Sequence, residues 1–262
     1  MELNYHILGA GFPLIILHGL LGSAENWRTA GKQLSKDYKV YTVDLRNHGG
    51  SPHSPIMTYP KMAEDLRELL DHEKLSEAHL LGHSMGGKVA MQFATTYPER
   101  LTKVVIVDIA PKLYPPSQRS MLAALGNLDL LTFKSFAEID AALAPAVPQI
   151  AVRQFLMKNI ARIPTTGFRW RIDLAAITAG YDELTKPIIP KQRYEKPACF
   201  IRGDQSDYID DGDLPLIKEV FPLAELVTIA NAGHWLHADA PDAFLQVLSA
   251  FLSKNNQNYY GR

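Results

Sequence analysis

The chain is nearly free of cysteine. Its 262 residues contain one, Cys199. No intramolecular disulfide is possible, and no cysteine pair is available to a metal. Cys199 lies in the apolar run Ala198–Ile201 and reads as a small core residue, not a reactive thiol. No apolar run reaches the length of a membrane span. The N-terminus, MELNYHILGAG, lacks the basic-then-apolar pattern of a secretory signal, which makes cytoplasm the expected compartment. Net charge is also lacking: 27 Lys and Arg against 28 Asp and Glu leave −1, no general attraction for nucleic acid or an anionic membrane. There is no H-E-x-x-H and no Walker lysine loop. His234-x-x-His237 has ligand spacing without further ligands, and Gly9-Ala10-Gly11 lacks the third glycine and the helix of a dinucleotide fingerprint. No internal repeat or low-complexity tract interrupts the chain. With 47% hydrophobic and 21% charged residues it is an ordinary globular protein, long enough for one large α/β domain or two small ones.

Apolar runs and helical spacing alternate along the first part of the chain. Strands are expected at Leu3–Leu8, Leu14–Leu17, Val40–Val43, Ala78–Leu81 and Val104–Ile109. Helices are expected at Ala24–Leu34, with Ser23 as cap, at Tyr59–His72 and at Met85–Thr96. That alternation is the signature of βαβ units and a mostly parallel sheet. It stops at Pro111. From there to about Pro190 the chain reads as short helices, Ser117–Leu125, Phe133–Leu143, Gln149–Ile160 and Phe168–Ala179, separated by prolines. The block is too long for one crossover and reads as a helical cap over the carboxyl edge of the sheet. The pattern resumes with strand Ala198–Ile201, a helix near Leu214–Val220, strand Glu225–Ile229 and helix Pro241–Leu252. The polar tail Asn255–Arg262 is expected to fray. The expected division is a core of residues 1–110 and 191–262, and a cap of residues 111–190.

The stretch Leu80–Val89 contains Gly82-His83-Ser84-Met85-Gly86, a G-x-S-x-G pattern between a strand and a helix. It reads as a nucleophile elbow, with Ser84 at a strained turn and glycines where a Cβ would strike a neighbour. A serine hydroxyl is a poor nucleophile, so it needs a base, an orienting acid and donors for the oxyanion. Each belongs past the carboxyl end of a strand. Of nine histidines, His234 is the candidate base, since it follows the last expected strand. His237 lies close enough to be confused with it, and His83 is expected to pack under the elbow. Oxyanion donors are expected from the backbone N–H groups of Met85 and of Leu20, the latter within His18-Gly19-Leu20-Leu21-Gly22. His18 reads as a loop brace.

With these pieces the chain resembles the α/β-hydrolase superfamily over nearly its whole length. The resemblance is carried by His18–Gly22, Asp44-Leu45-Arg46-Asn47-His48-Gly49, Gly82–Gly87 and Ala232-Gly233-His234. Arg46–Gly49, Val107-Asp108-Ile109-Ala110-Pro111 and Trp170-Arg171-Ile172-Asp173-Leu174 are similar, more narrowly, to the YbfF-type bacterial esterases, which act on acyl esters and acyl-CoA thioesters. This implies an α/β-hydrolase fold with a helical cap inserted after the sixth strand, and a cofactor-free serine esterase or thioesterase with a small acyl ester or acyl-CoA as substrate. The same triad also serves C–C bond hydrolases and lyases, and the fold also serves as a binding protein with little turnover.

The acid departs from the common pattern. Most resembling enzymes carry it as Gly-x-x-Asp after the strand that follows the cap. Here that segment is Gly203-Asp204-Gln205-Ser206-Asp207, with Ser206 at the expected place. Asp108 instead ends an apolar run, where a carboxylate needs a partner, and His234 is available. The YbfF-type resemblance at Val107–Pro111 points the same way. Asp108 is therefore the expected acid ahead of Asp207, with Ser206 an auxiliary hydrogen-bonding group.

Overall fold

The computed structural model describes residues 1–164 and 166–254; the tail expected to fray lies outside the described residues. Its strands are β1 (Tyr5–Leu8), β2 (Phe12–Leu17), β3 (Tyr38–Val43), β4 (Ala78–His83), β5 (Leu101–Val107), β6 (Ile160–Ile163), β7 (Gly167–Trp170), β8 (Ala198–Gly203) and β9 (Ala224–Ile229). Seven form one sheet in the order β1-β3-β2-β4-β5-β8-β9. Only β1 runs antiparallel, at the edge against β3. The inner strands have both faces covered, as their unbroken apolar runs require. Ile15, Leu17, Leu80, Val104 and Ile106 face helices Tyr59–His72 and Met85–Thr96. Leu14, Ile16, Leu81, Val105 and Val107 face Trp27, Leu34, Phe244 and Leu248. Successive residues change sides, the period of a strand.

Helices Tyr59–His72, Met85–Thr96 and Leu214–Val220 have the expected bounds. Ala24–Leu34 divides into a 3-10 turn, Ala24–Trp27, and helix Arg28–Leu34. Between β5 and β8 the described residues form helices Arg119–Gly126, Phe136–Leu143, Ile150–Met157, Leu174–Ala179 and Tyr181–Thr185, and the hairpin β6–β7. Two expectations need correction. The insertion follows the fifth strand, not the sixth, because the residues before β2 hold only one strand. It is also not wholly helical. Segments Gln149–Ile160 and Phe168–Ala179 each join a helix to a strand. Phe168 is buried while its neighbour Arg169 is exposed, an alternation of period two, and Gly167 adopts φ +114° at the start of β7.

The register brings the parallel strands to a common edge: Leu17 lies beside Gly82, His83 beside Val107, Val107 beside Ile201 and Gly203 beside Ile229. The next residues of β2, β4 and β5 are His18, Ser84 and Asp108.

Candidate active site

Ser84 joins β4 to helix Met85–Thr96 at φ 53° and ψ −118°. A non-glycine residue there costs of order 1–3 kcal/mol and persists only when its surroundings impose it. The Ser84 N–H donates to Val107 O at 3.0 Å, and Ser84 O accepts from Lys88 N–H at 3.1 Å. The flanking glycines have no alternative. A Cβ on Gly82 would lie 2.1 Å from Gly86 O, and one on Gly86 would lie 2.5 Å from His18 O. Met85 opens the helix, where a backbone N–H has no intrahelical acceptor.

Loop His18–Gly22 faces Ser84. A Cβ on Gly19 would sit 3.3 Å from Ser84 Cβ, and Leu20 lines the same cavity as Ser84. Two buried histidines hold the loop. His18 Nδ1–H donates to Gly19 O (2.8 Å) while Nε2 accepts from Leu45 N–H (3.0 Å). His48 Nδ1–H donates to Arg46 O (2.9 Å) while Nε2 accepts from Leu21 N–H (3.2 Å). Only neutral imidazole offers one donor and one acceptor. Burial keeps them neutral, lowering the pKa of His18 and pushing that of His48 down to about 3. Asn159 of the insertion completes the brace by donating to Leu21 O at 2.7 Å.

His234 Nδ1 meets Asp108 Oδ2 at 2.7 Å. Asp108 is fully buried at φ 52°, and its N–H is anchored to Ile201 O at 2.8 Å. The Ser206 hydroxyl donates to the same Asp108 oxygen. Asp207, the competing carboxylate, is exposed and makes no hydrogen bond or ion pair with His234 among the described residues. The structure thus brings Asp108, Ser206 and His234 together. His83 packs beneath as expected, its Nε2–H donating to His234 O at 2.8 Å. His237 is turned away from Asp108, partly buried and stacked on Trp27 at 4.3 Å. Among the described residues no group of three or more His, Cys, Asp or Glu is placed to hold a metal.

Tyr208 was not singled out by sequence reasoning. Its ring stacks on His234 with centroids 3.9 Å apart and planes 17° from parallel. Its carbonyl accepts from Tyr114 OH at 2.6 Å, and that oxygen accepts from Ala110 N–H at 2.8 Å. Ser84, Met85, Leu20 and Tyr208 line a cavity of 390 Å³ whose lining also includes Tyr59, Tyr114, Pro115, Tyr181 and Leu184. Such a site offers a largely apolar chamber beside the Ser84 hydroxyl.

Residues 13–241 match the family model of the alpha/beta hydrolase fold. The chain belongs to that family. It is 37% identical to the sn-1-specific diacylglycerol lipase ABHD11 of Danio rerio, over 96% of this chain and 83% of that protein. It is 33% identical to esterase YbfF of Escherichia coli strain K12, over 92% of this chain and 93% of that one. The solved structure of a marine microorganism esterase superposes with a TM-score of 0.93 at 41% identity, covering 95% of this chain and 99% of that chain. Among the described residues no helix is long and apolar enough to cross a membrane.

Proposed function

We propose that this member of the alpha/beta hydrolases is a serine esterase that cleaves carboxylic esters, and acyl thioesters such as acyl-CoA, through an acyl-enzyme on Ser84. The observation that carries the reading is the pair of buried Asp108 and half-buried His234, 2.7 Å apart, at the same strand edge as the strained Ser84 turn. With Nδ1 committed to Asp108, Nε2 is the imidazole nitrogen left to act as base. It takes the Ser84 proton as Oγ bonds to the acyl carbon. The carbonyl π electrons move to oxygen, which the N–H groups of Leu20 and Met85 hold. Collapse expels the alcohol or thiol with the proton from His234. Water, deprotonated by His234, then releases the acid and restores Ser84. Residues 111–190 act as the cap over the acyl chain, and 1–110 with 191–262 as the core. The esterase and lipase relatives support the ester class; the thioester rests on the YbfF-type motifs.

The test is turnover of p-nitrophenyl acyl esters with fluorophosphonate labelling. Wild type hydrolyses the ester and takes one label. Ser84→Ala takes none and loses turnover on the scale of ~10⁶. Turnover within tenfold of wild type would remove Ser84 from the reaction, and labelling without turnover would favour a binding protein.

A further inference from the structure

Helix Met85–Thr96 is buried from Met85 to Thr95, and its one charged residue is Lys88. Lys88 is 1% exposed, and no carboxylate pairs with it among the described residues. Burying an ammonium is costly unless its donors are used. Here they are used on backbone. Nζ donates to Lys112 O at 2.8 Å and to Lys186 O at 2.6 Å, with the ring of Tyr114 4.9 Å away. Burial without a counter-charge pushes its pKa down to about 7. Even as a neutral amine it keeps two N–H donors, enough for both short bonds.

The two acceptors are not neighbours in sequence. Lys112 lies where the chain leaves the sheet for the insertion, and Lys186 where it returns. The two crossings also bond each other, Tyr114 N–H to Thr185 O and Ile188 N–H to Pro111 O, both at 3.0 Å. Lys88 sits under that junction, one helical turn from Ser84. Tyr114, Pro115, Leu184 and Thr185 of the crossings wall the cavity that Ser84 and Lys88 share.

We propose that Lys88 is a positioning residue that clamps both crossings of the insertion to the Ser84 helix, and so sets the depth of the acyl pocket and the preference for acyl chain length. This rests on the esterase reading above. A methionine fills nearly the same volume but offers no donor, so Lys88→Met removes the clamp and leaves the packing.

The experiment compares wild type and Lys88→Met on p-nitrophenyl esters from acetyl to decanoyl, with hydrogen exchange followed at the Tyr114 and Ile188 amides. The expected result is a loss of kcat/KM that grows with chain length, at least tenfold greater for decanoyl than for acetyl and carried by KM. The two amides should exchange at least tenfold faster. If Lys88→Met does not fold, Lys88→Gln, which keeps an amide donor of shorter reach, carries the same comparison. A uniform loss across the series with unchanged exchange overturns the proposal. So does a loss seen with an added p-nitrophenyl hemisuccinate but with none of the alkanoyl esters, which would place Nζ against substrate. Absence of turnover in wild type would instead refute the esterase reading, and the exchange comparison would still decide the clamp.

Discussion

The Ser206 hydroxyl donates to Asp108 Oδ2, the carboxylate oxygen that also meets Nδ1 of His234. One residue comes from the end of β5 and the other from the loop after β8, on opposite sides of the insertion in sequence. A buried carboxylate needs partners, and here the serine that occupies the usual acid position supplies one.

This relationship assigns different weights to the three candidates. Asp108→Asn keeps the shape but no longer orients the imidazole tautomer, and a loss of about 10⁴ in kcat is expected. Ser206→Ala removes one charge-assisted bond, with a loss on the order of tenfold. Asp207→Asn should have the smallest effect of the three. Steady-state kinetics on one p-nitrophenyl ester checks the ranking, and a larger loss at Asp207 than at Asp108 would move the acid to the later loop.

Tyr208 supports the other side of the same imidazole. Stacked aromatic rings contribute roughly 0.5–1.5 kcal/mol beyond burial, so Tyr208→Ala should lower kcat by about three- to tenfold. Tyr208→Phe keeps the ring and should restore kcat. Failure of phenylalanine to rescue would show that the hydroxyl, not the stack, matters.

The contact between Asp108 and His234 was legible in the sequence because a carboxylate closing an apolar strand has few solutions. The helices Tyr59–His72 and Met85–Thr96 were legible for a related reason: local periodicity and tertiary burial agree there. Lys88 carried a readable signal, a single charge in a helix with no polar face, but its acceptors are backbone carbonyls about 24 and 98 residues away and leave no side-chain pattern. Tyr208 carried none, since stacking depends on the path of an irregular loop. The β6–β7 hairpin was misread because its strands, four residues each, are too short for period two to outweigh adjoining helical spacing.

Acid should destabilise the fold through its buried histidines before carboxylates titrate. Burial lowers the pKa of His18 and His83 and pushes His48 and His79 down to about 3 and His237 to about 4. In the unfolded chain each takes up a proton near pH 6.5. Their contribution is therefore complete above pH 6.5 and falls as pH drops toward their folded values, at up to about 1.4 kcal/mol per pH unit for each proton. The urea midpoint should drop between pH 6.5 and 5.0. A flat or rising midpoint over that interval would contradict the neutral-histidine account of the His18–Gly22 loop.

Some basic residues of the insertion are paired with carboxylates, and others are not. Lys112 pairs with Asp213 (2.5 Å), Arg153 with Asp140 (2.8 Å), and Arg119 with Asp182. Lys158, Arg169 and Arg171 have no carboxylate partner among the described residues, and with Lys32 and Arg28 they line one open groove. Asn159 lines that groove and donates to Leu21 O, one residue from the cavity-lining Leu20. A leaving group that extends past the His18–Gly22 loop would meet these charges. Phosphates on such a leaving group would be held by exposed cations, and exposed charges are screened over about 10 Å at 0.1 M salt. Accordingly, kcat/KM for an acyl-CoA should fall steeply between 20 and 300 mM NaCl while that for an uncharged ester of the same acyl group changes little, taking those salt limits as roughly ten- to fifteenfold apart in ionic strength. Arg169→Ala with Arg171→Ala should flatten the thioester's salt dependence and raise its KM. Equal salt dependence for the two substrates would leave the groove a solvated surface, and the phosphate-bearing leaving group would have to lie elsewhere.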